Sequence, residues 1–237
     1  MTMFLGIDLG TSGLKATLID DRQRVLGTQS VALQVSRPQP GWSEQSPADW
    51  IAAAEAALGA LARDHDLGRL AGIGLSGQMH GAVALDAAGE VLRPAILWND
   101  GRAAAEAAEL DALPGVRALS GNIVFAGFTA PKLLWMARHE PAVFARVACV
   151  LLPKDYLRLW LTGERVSDMS DASGTSWLDV GAREWSDRLL DASGMSRAQM
   201  PALVEGSAPS GWLRPALARQ WGIRGPVVVA GGAGDNA

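Results

Sequence analysis

One cysteine, Cys149, stands among 237 residues, so no disulfide can form within the chain, and a reducing, cytoplasmic setting is the expectation. Long apolar runs are missing too. No stretch reaches the ~18 uninterrupted apolar residues that a membrane-spanning helix requires, so no membrane role is expected. The opening MTMFLGIDLG carries an acid and lacks a basic segment, and it reads as a strand and not as a leader peptide. Positive charge is scarce: 21 Lys and Arg face 25 Asp and Glu, for a net charge of -4, and no basic cluster offers a footprint for nucleic acid. Tyrosine occurs once, against nine tryptophans. What remains is a chain that is 49% hydrophobic and 19% charged, which excludes disorder and suffices for a sizeable core.

The order of elements points to an α/β plan with a mixed sheet. MFLGIDLG, LKATLID and VLGTQSVALQV read as three strands of an antiparallel meander over residues 3–35, and SRPQPGWSEQ is a loop by its proline and glycine content. Ser46 is placed to cap a helix with Pro47 at its first position, and Trp50, Ala54, Leu58 and Leu61 form its apolar stripe. Short strands LAGIGLSG, GAVALD and RPAILWND follow, then an alanine-rich helix over 102–113. Residues 130–161 read as helix, helix, strand and helix. SDMSDASGTS reads as a polar interruption, 184–193 and 197–220 as helices, and PVVVAGG as a last strand. The antiparallel start departs from the strict alternation of a dinucleotide-binding fold.

Four constellations carry candidate chemistry. In GIDLGTSGLK a strand delivers Asp8 into a turn of Gly10, Thr11, Ser12 and Gly13, followed by Lys15. Glycines let backbone amides approach an anion, and the hydroxyls add donors. An acid beside a phosphate-sized turn needs a cation between them, which suggests Mg²⁺-nucleotide chemistry. An ordinary hairpin turn is the simpler alternative. A dinucleotide fingerprint fails, because the spacing is G-x-x-x-G-x-x-G and a strand, not a helix, comes next. In LSGQMHGA, glycines flank Gln78, Met79 and His80 at a strand end; a buried structural histidine is the alternative. ILWNDGR sets Asn99, Asp100 and Arg102 beside Trp98, whose indole suits the wall of a sugar pocket. VVVAGGAGDN repeats the first logic, with a strand, a glycine turn and Asp235 followed by Asn236. Two strand-borne acids give one carboxylate for a metal and one for taking a proton from a hydroxyl.

These blocks, with GFTAPKLLW, LLPKDYLRLWLTGE and SDMSDASGTSWLD, lie in the order seen in the FGGY family of carbohydrate kinases, which the chain resembles from residue 6 onward. The branch that phosphorylates D-xylulose is the nearest. The resemblance implies a ribonuclease-H-like fold of the actin and hexokinase type, with residues 1–237 forming the N-terminal, sugar-binding domain. It further implies transfer of the γ-phosphoryl group of ATP to the 5-hydroxyl of D-xylulose, giving D-xylulose 5-phosphate. Asp235 is then the catalytic base, and Asp8 helps to hold Mg²⁺. Gly10, Thr11, Ser12 and Lys15 approach the nucleotide phosphates, while Met79, His80, Trp98, Asp235 and Asn236 contact the sugar. A C-terminal nucleotide-binding domain is expected to be absent from this chain, leaving the isolated half without turnover, and many relatives form homodimers. Another ketopentose or polyol of the same family is the alternative substrate. A non-catalytic, sugar-sensing domain is the alternative role.

Overall fold

The computed structural model describes residues 1–236. Its centre is a seven-stranded sheet built on the expected meander. Strands β1 (Met3–Leu9), β2 (Gly13–Asp20) and β3 (Val25–Ala32) pair antiparallel in sequence order. On the other side of β1 lies β4 (Leu70–Gly77), parallel to it. Helix α1 (Pro47–Asp64) makes the crossover between them. Alternation in β1 buries Met3, Leu5, Ile7 and Leu9 on one face and leaves Phe4, Gly6 and Asp8 on the other. α1 lays Trp50, Ala54, Leu58 and Leu61 on the buried face, as its stripe requires. Ser46 precedes that helix without a side-chain capping bond, so Pro47 and the packed stripe define its start.

A second core gathers around α2 (Thr129–His139), with Leu133, Trp135 and Met136 packing near Trp177 and Trp185. Beyond it, α3 (Pro153–Thr162) returns Leu157 and Leu161 to the first core. The polar run SDMSDASGTS is not irregular. It begins in the strand Val166–Asp168 and continues into α4 (Met169–Ser173). The Asp168 carboxylate caps α4, accepting from the amides of Ser170 at 2.9 Å and Asp171 at 3.1 Å.

The two helices expected at 184–193 and 197–220 are broken up. Glu184–Trp185 is a strand, and Asp187–Asp191 is a short helix. Arg197–Gln199 is a single 3₁₀ turn followed by the strand Ala202–Val204, β5 (Pro209–Trp212) and the helix Pro215–Gln220. Pro201, Pro209 and Pro215 lack the amide that a continuous helix needs, and this outweighs the helical propensity of the intervening alanines and leucines. β6 (Val228–Ala230) then runs parallel to β4, and β7 (Ala233–Gly234) resumes the pairing with β4 two residues later. Across the sheet the order is β5-β6-β4-β1-β2-β3, with β7 beside the end of β4. The ends of β1, β4 and β7 therefore lie side by side, and each is followed by one of the motifs singled out above. No helix among the described residues is long and apolar enough to cross a membrane.

Candidate active site

Register brings the first motif together. Asp8 sits opposite Lys15 across the β1–β2 ladder and opposite Ser76 across the β1–β4 ladder, all on the face that lacks a helical cover. The Ser76 hydroxyl donates to Asp8 Oδ1 at 2.7 Å. These three residues line an open groove of about 540 Å³ with Thr17, Gly74 and Gly232. The turn itself closes with the Gly10 amide donating to the Gly13 carbonyl at 3.0 Å, and the Ser12 carbonyl accepts from Leu33.

Around the strand ends lies a smaller, more enclosed cavity of about 140 Å³, lined by Thr11, Met79, His80, Trp98, Asp235 and Asn236. Residues from all four motifs meet there. Asp235 is held by its backbone amide, which donates to the Gly77 carbonyl at 2.9 Å. Gly234 comes so close to Met79 that any β-carbon at 234 would collide with that side chain. Asn236 Nδ2 donates to Asp235 Oδ1 at 3.2 Å. Partial enclosure and the negative field of Asp8 raise the Asp235 carboxyl above the ordinary carboxylate value.

Trp98, half exposed, donates its indole N–H to Thr11 Oγ1 at 2.9 Å. The Thr11 hydroxyl in turn donates to Gln78 Oε1 at 3.1 Å. Thr11 thus has its hydroxyl engaged as donor and as acceptor on the side of Met79 and His80, away from the Asp8 groove. Behind it, buried Gln78 donates to Gln45 Oε1 at 2.9 Å, and Gln45 donates to the Thr11 carbonyl at 2.7 Å. The Trp50 indole closes the chain at 3.1 Å from Gln45 Oε1. Asn99 is exposed after Trp98, whereas Asp100 turns inward. Burial opposes its charge, but the Arg102 guanidinium at 2.7 Å and the amides of Ser43 and Arg102 hold its carboxyl below the usual range. Asp100 and Arg102 therefore brace the loop that presents Trp98.

His80 Nδ1 lies 2.7 Å from the Gly174 carbonyl, which can only accept, so Nδ1 carries the proton. Burial first, and the nearby Lys132, lower the His80 pKa to about 4 against the Gly174 bond. At neutral pH the ring is uncharged, and Nε2 is left as an acceptor.

Sequence patterning gave no account of a third group. Lys154, Asp155, Arg158, Asp168 and Asp171 have fully buried side chains. Lys154 Nζ lies 2.8 Å from Asp155, 2.7 Å from Asp168 and 2.9 Å from Asp171. Arg158 donates to the Ala230 carbonyl at 2.6 Å and also to the Gly231 carbonyl and the Ser210 hydroxyl, at the end of the strand that leads to Asp235. Burial alone would lower the Lys154 pKa, yet the three acids raise it. Three acids against two cations leave one negative charge in excess, and Asp171, buried beside Asp155, is pushed up to about 7. Because this folded-state value exceeds the unfolded one of about 3.9, the native state binds the proton more tightly. Stability contributed there is present at low pH and declines as pH rises through about 7. Asp171→Asn is therefore expected to be mild, and to flatten the decline in melting temperature between about pH 4 and 7. An unchanged decline in the variant would contradict this assignment.

No group of three acids, histidines or cysteines that could hold a metal occurs among the described residues. The FGGY family of carbohydrate kinases, N-terminal domain, matches residues 3–237. The chain belongs to this family. It is 56% identical over 236 residues to the xylulose kinase of Escherichia coli (strain K12), covering 99% of this chain and 49% of that protein. Its identity to the xylulose kinase of Bacillus subtilis (strain 168) is 39%, covering 100% of this chain and 48% of the relative. Among solved structures, a xyloylose kinase from Brucella ovis superimposes with a TM-score of 0.98 at 62% identity, covering 99% of this chain and 49% of that one. The xylulose kinase from Rhodospirillum rubrum gives 0.94 at 33% identity over the same shares. The fold is accordingly the expected mixed-sheet, actin- and hexokinase-like one. The chain spans about half the length of the curated relatives it matches.

Proposed function

We propose that this chain is the sugar-binding half of a kinase that transfers the γ-phosphoryl group of ATP to the 5-hydroxyl of D-xylulose. The observation that carries the reading is the cavity in which Asp235 faces Met79, His80, Trp98 and Asn236, next to a groove lined by Asp8 and Lys15. The relatives named above supply the sugar; the cavity supplies the chemistry.

His80 Nε2 accepts from a sugar hydroxyl, the Asn236 amide donates, and the Trp98 face covers apolar C–H groups. Asp235 takes the proton of the attacking hydroxyl. The sugar oxygen forms its bond to the γ-phosphorus while the bond to the ADP oxygen breaks, and the proton ends on the Asp235 carboxyl. Little covalent help is needed in such a loose transfer, so alignment and charge neutralisation dominate. Lys15 lies on the groove side, where its ammonium would face phosphate oxygens.

The residues fit a magnesium ion with few protein ligands. Asp8 offers carboxylate oxygens to a hard cation, and its field on Asp235 marks an excess of negative charge that such an ion would relieve. Asp8 would hold the ion, which when bound with ATP supplies neutralisation of the transferring phosphoryl group. The full-length protein would contribute the remaining nucleotide contacts.

A coupled assay of ADP release by the full-length protein, run against a panel of ketopentoses, glycerol and gluconate, tests the reading. Turnover preferring D-xylulose is expected; preference for a polyol would reassign the substrate, and sugar binding without turnover would favour a sensor. Because the Asp235 pKa is raised and the base must be ionised, kcat/KM should fall as pH drops through a value above about 3.9, the ordinary one for aspartate. A pH profile with no acid limb would remove Asp235 from the base role.

A further inference from the structure

The GFTAPKLLW block has no part in the chemistry above, and its lysine is fully buried. Four of its residues touch the walls of the small cavity. A β-carbon at Gly127 would overlap the Trp98 carbonyl oxygen, so the chain passes directly against the loop that presents that indole. The Phe128 ring stacks on the His80 imidazole, with centroids 4.5 Å apart and planes 30° apart. Thr129 Oγ1 donates to the His80 carbonyl at 3.1 Å, and Lys132 Nζ donates to the same oxygen at 2.8 Å. Both side chains are wholly enclosed.

His80 has a reason to need such holding. Its φ is +66°, in the left-handed region that a residue with a β-carbon rarely adopts and that persists only when surroundings over-determine it. The strand ends at Gly77, and three residues later the backbone must reverse its hand to turn the imidazole toward Gly174. Two buried donors on one carbonyl fix the peptide after His80, and the Phe128 face fixes the ring. The block is tied to the same wall a second time, since the Ala130 amide donates to the Thr175 carbonyl at 2.9 Å, next to the residue that receives His80 Nδ1.

We infer that Gly127, Phe128, Thr129 and Lys132 form a clamp that sets the orientation of His80 and the position of the Trp98 loop, with Lys132 and Thr129 as positioning residues for sugar recognition. This rests on the proposed sugar site, and it assigns a task to a buried lysine that touches no reacting atom. The amine suits the task. Beside Asp100 and Arg102, burial takes its pKa well below the ordinary lysine value, and charged or neutral it can still donate to a carbonyl.

The test uses the full-length protein with Lys132→Met, which keeps the length but removes every donor, and Thr129→Val, which keeps the shape and removes one. KM for D-xylulose should rise roughly ten- to hundredfold in Lys132→Met and several-fold in Thr129→Val, with a smaller change in kcat. Nitrogen-15 spectra of the histidines give the readout that a purely structural role would not move. The wild type should show His80 protonated on Nδ1 with its pKa depressed to about 4, and Lys132→Met should mix the tautomers. Unchanged KM and unchanged His80 signals in both variants, even with a lower melting temperature, would overturn the clamp. If Lys132→Met does not fold, Thr129→Val decides the matter alone. If the wild type binds no sugar of the panel, the proposed function fails, while the His80 spectra still judge the clamp.

Discussion

Asp235→Asn is expected to reduce D-xylulose phosphorylation by about 10²–10⁴-fold while leaving sugar affinity within a few-fold of the wild type. The amide keeps the shape of the side chain and still fits beside Asn236, but it cannot accept the hydroxyl proton. The backbone anchor is untouched, since it is the 235 amide that donates to Gly77. Removing a base that acts in the transition state should lower kcat and kcat/KM together, and this separates it from His80 and Trp98, whose loss should act on KM. Turnover of the variant near the wild-type rate would assign the proton to water or to another group. Glutamate at 235 offers a second check: it restores a base one methylene too far forward, so activity should stay low.

The second large effect is structural. Lys154→Met leaves Asp155, Asp168 and Asp171 without their shared cation, fully buried. Breaking such a group by removing one partner costs about 3–5 kcal/mol, a large part of a typical domain's stability of about 5–15 kcal/mol. The loss should also reach the cavity. Asp168 caps α4, and Gly174 at the end of that helix receives the His80 imidazole. Thermal unfolding of the full-length variant should show a much lower melting temperature. Adding Asp171→Asn should recover part of it, because the removed acid then has no excess charge to contribute. Strict additivity of the two changes would mean that the cluster is not electrostatically coupled.

Much of the site was legible because it follows from strand periodicity. An acid joined to an apolar strand and a glycine turn is visible twice, before the turn at Asp8 and after it at Asp235, and parallel pairing of β1, β4 and β7 explains why those ends meet. The stripe of α1 could be read for the same reason. What escaped was whatever depends on partners far apart in the chain. Lys154 and Arg158 look like surface residues of an amphipathic helix until Asp168, Asp171 and the Ala230 carbonyl close around them. One signal was available: Lys154 and Asp155 interrupt the apolar run LLP…YL, where unpaired charges would be costly to bury. Gln45 was read within a loop, and only the fold shows that it links Trp50, Gln78 and Thr11 behind the cavity. Alanines and leucines give 197–220 helical propensity, yet Pro201, Pro209 and Pro215 break it into a 3₁₀ turn, strands and a short helix.

The central claim is that the cavity between Asp235 and Trp98 holds the sugar with the attacking hydroxyl on Asp235. A crystal structure of the full-length protein with D-xylulose tests it most directly. The 5-hydroxyl oxygen should lie about 3 Å from the Asp235 carboxylate, with His80 Nε2 accepting from another sugar hydroxyl and the Trp98 face against the carbon chain. Sugar bound outside this cavity, or turned so that its 5-hydroxyl points away from Asp235, would contradict the account.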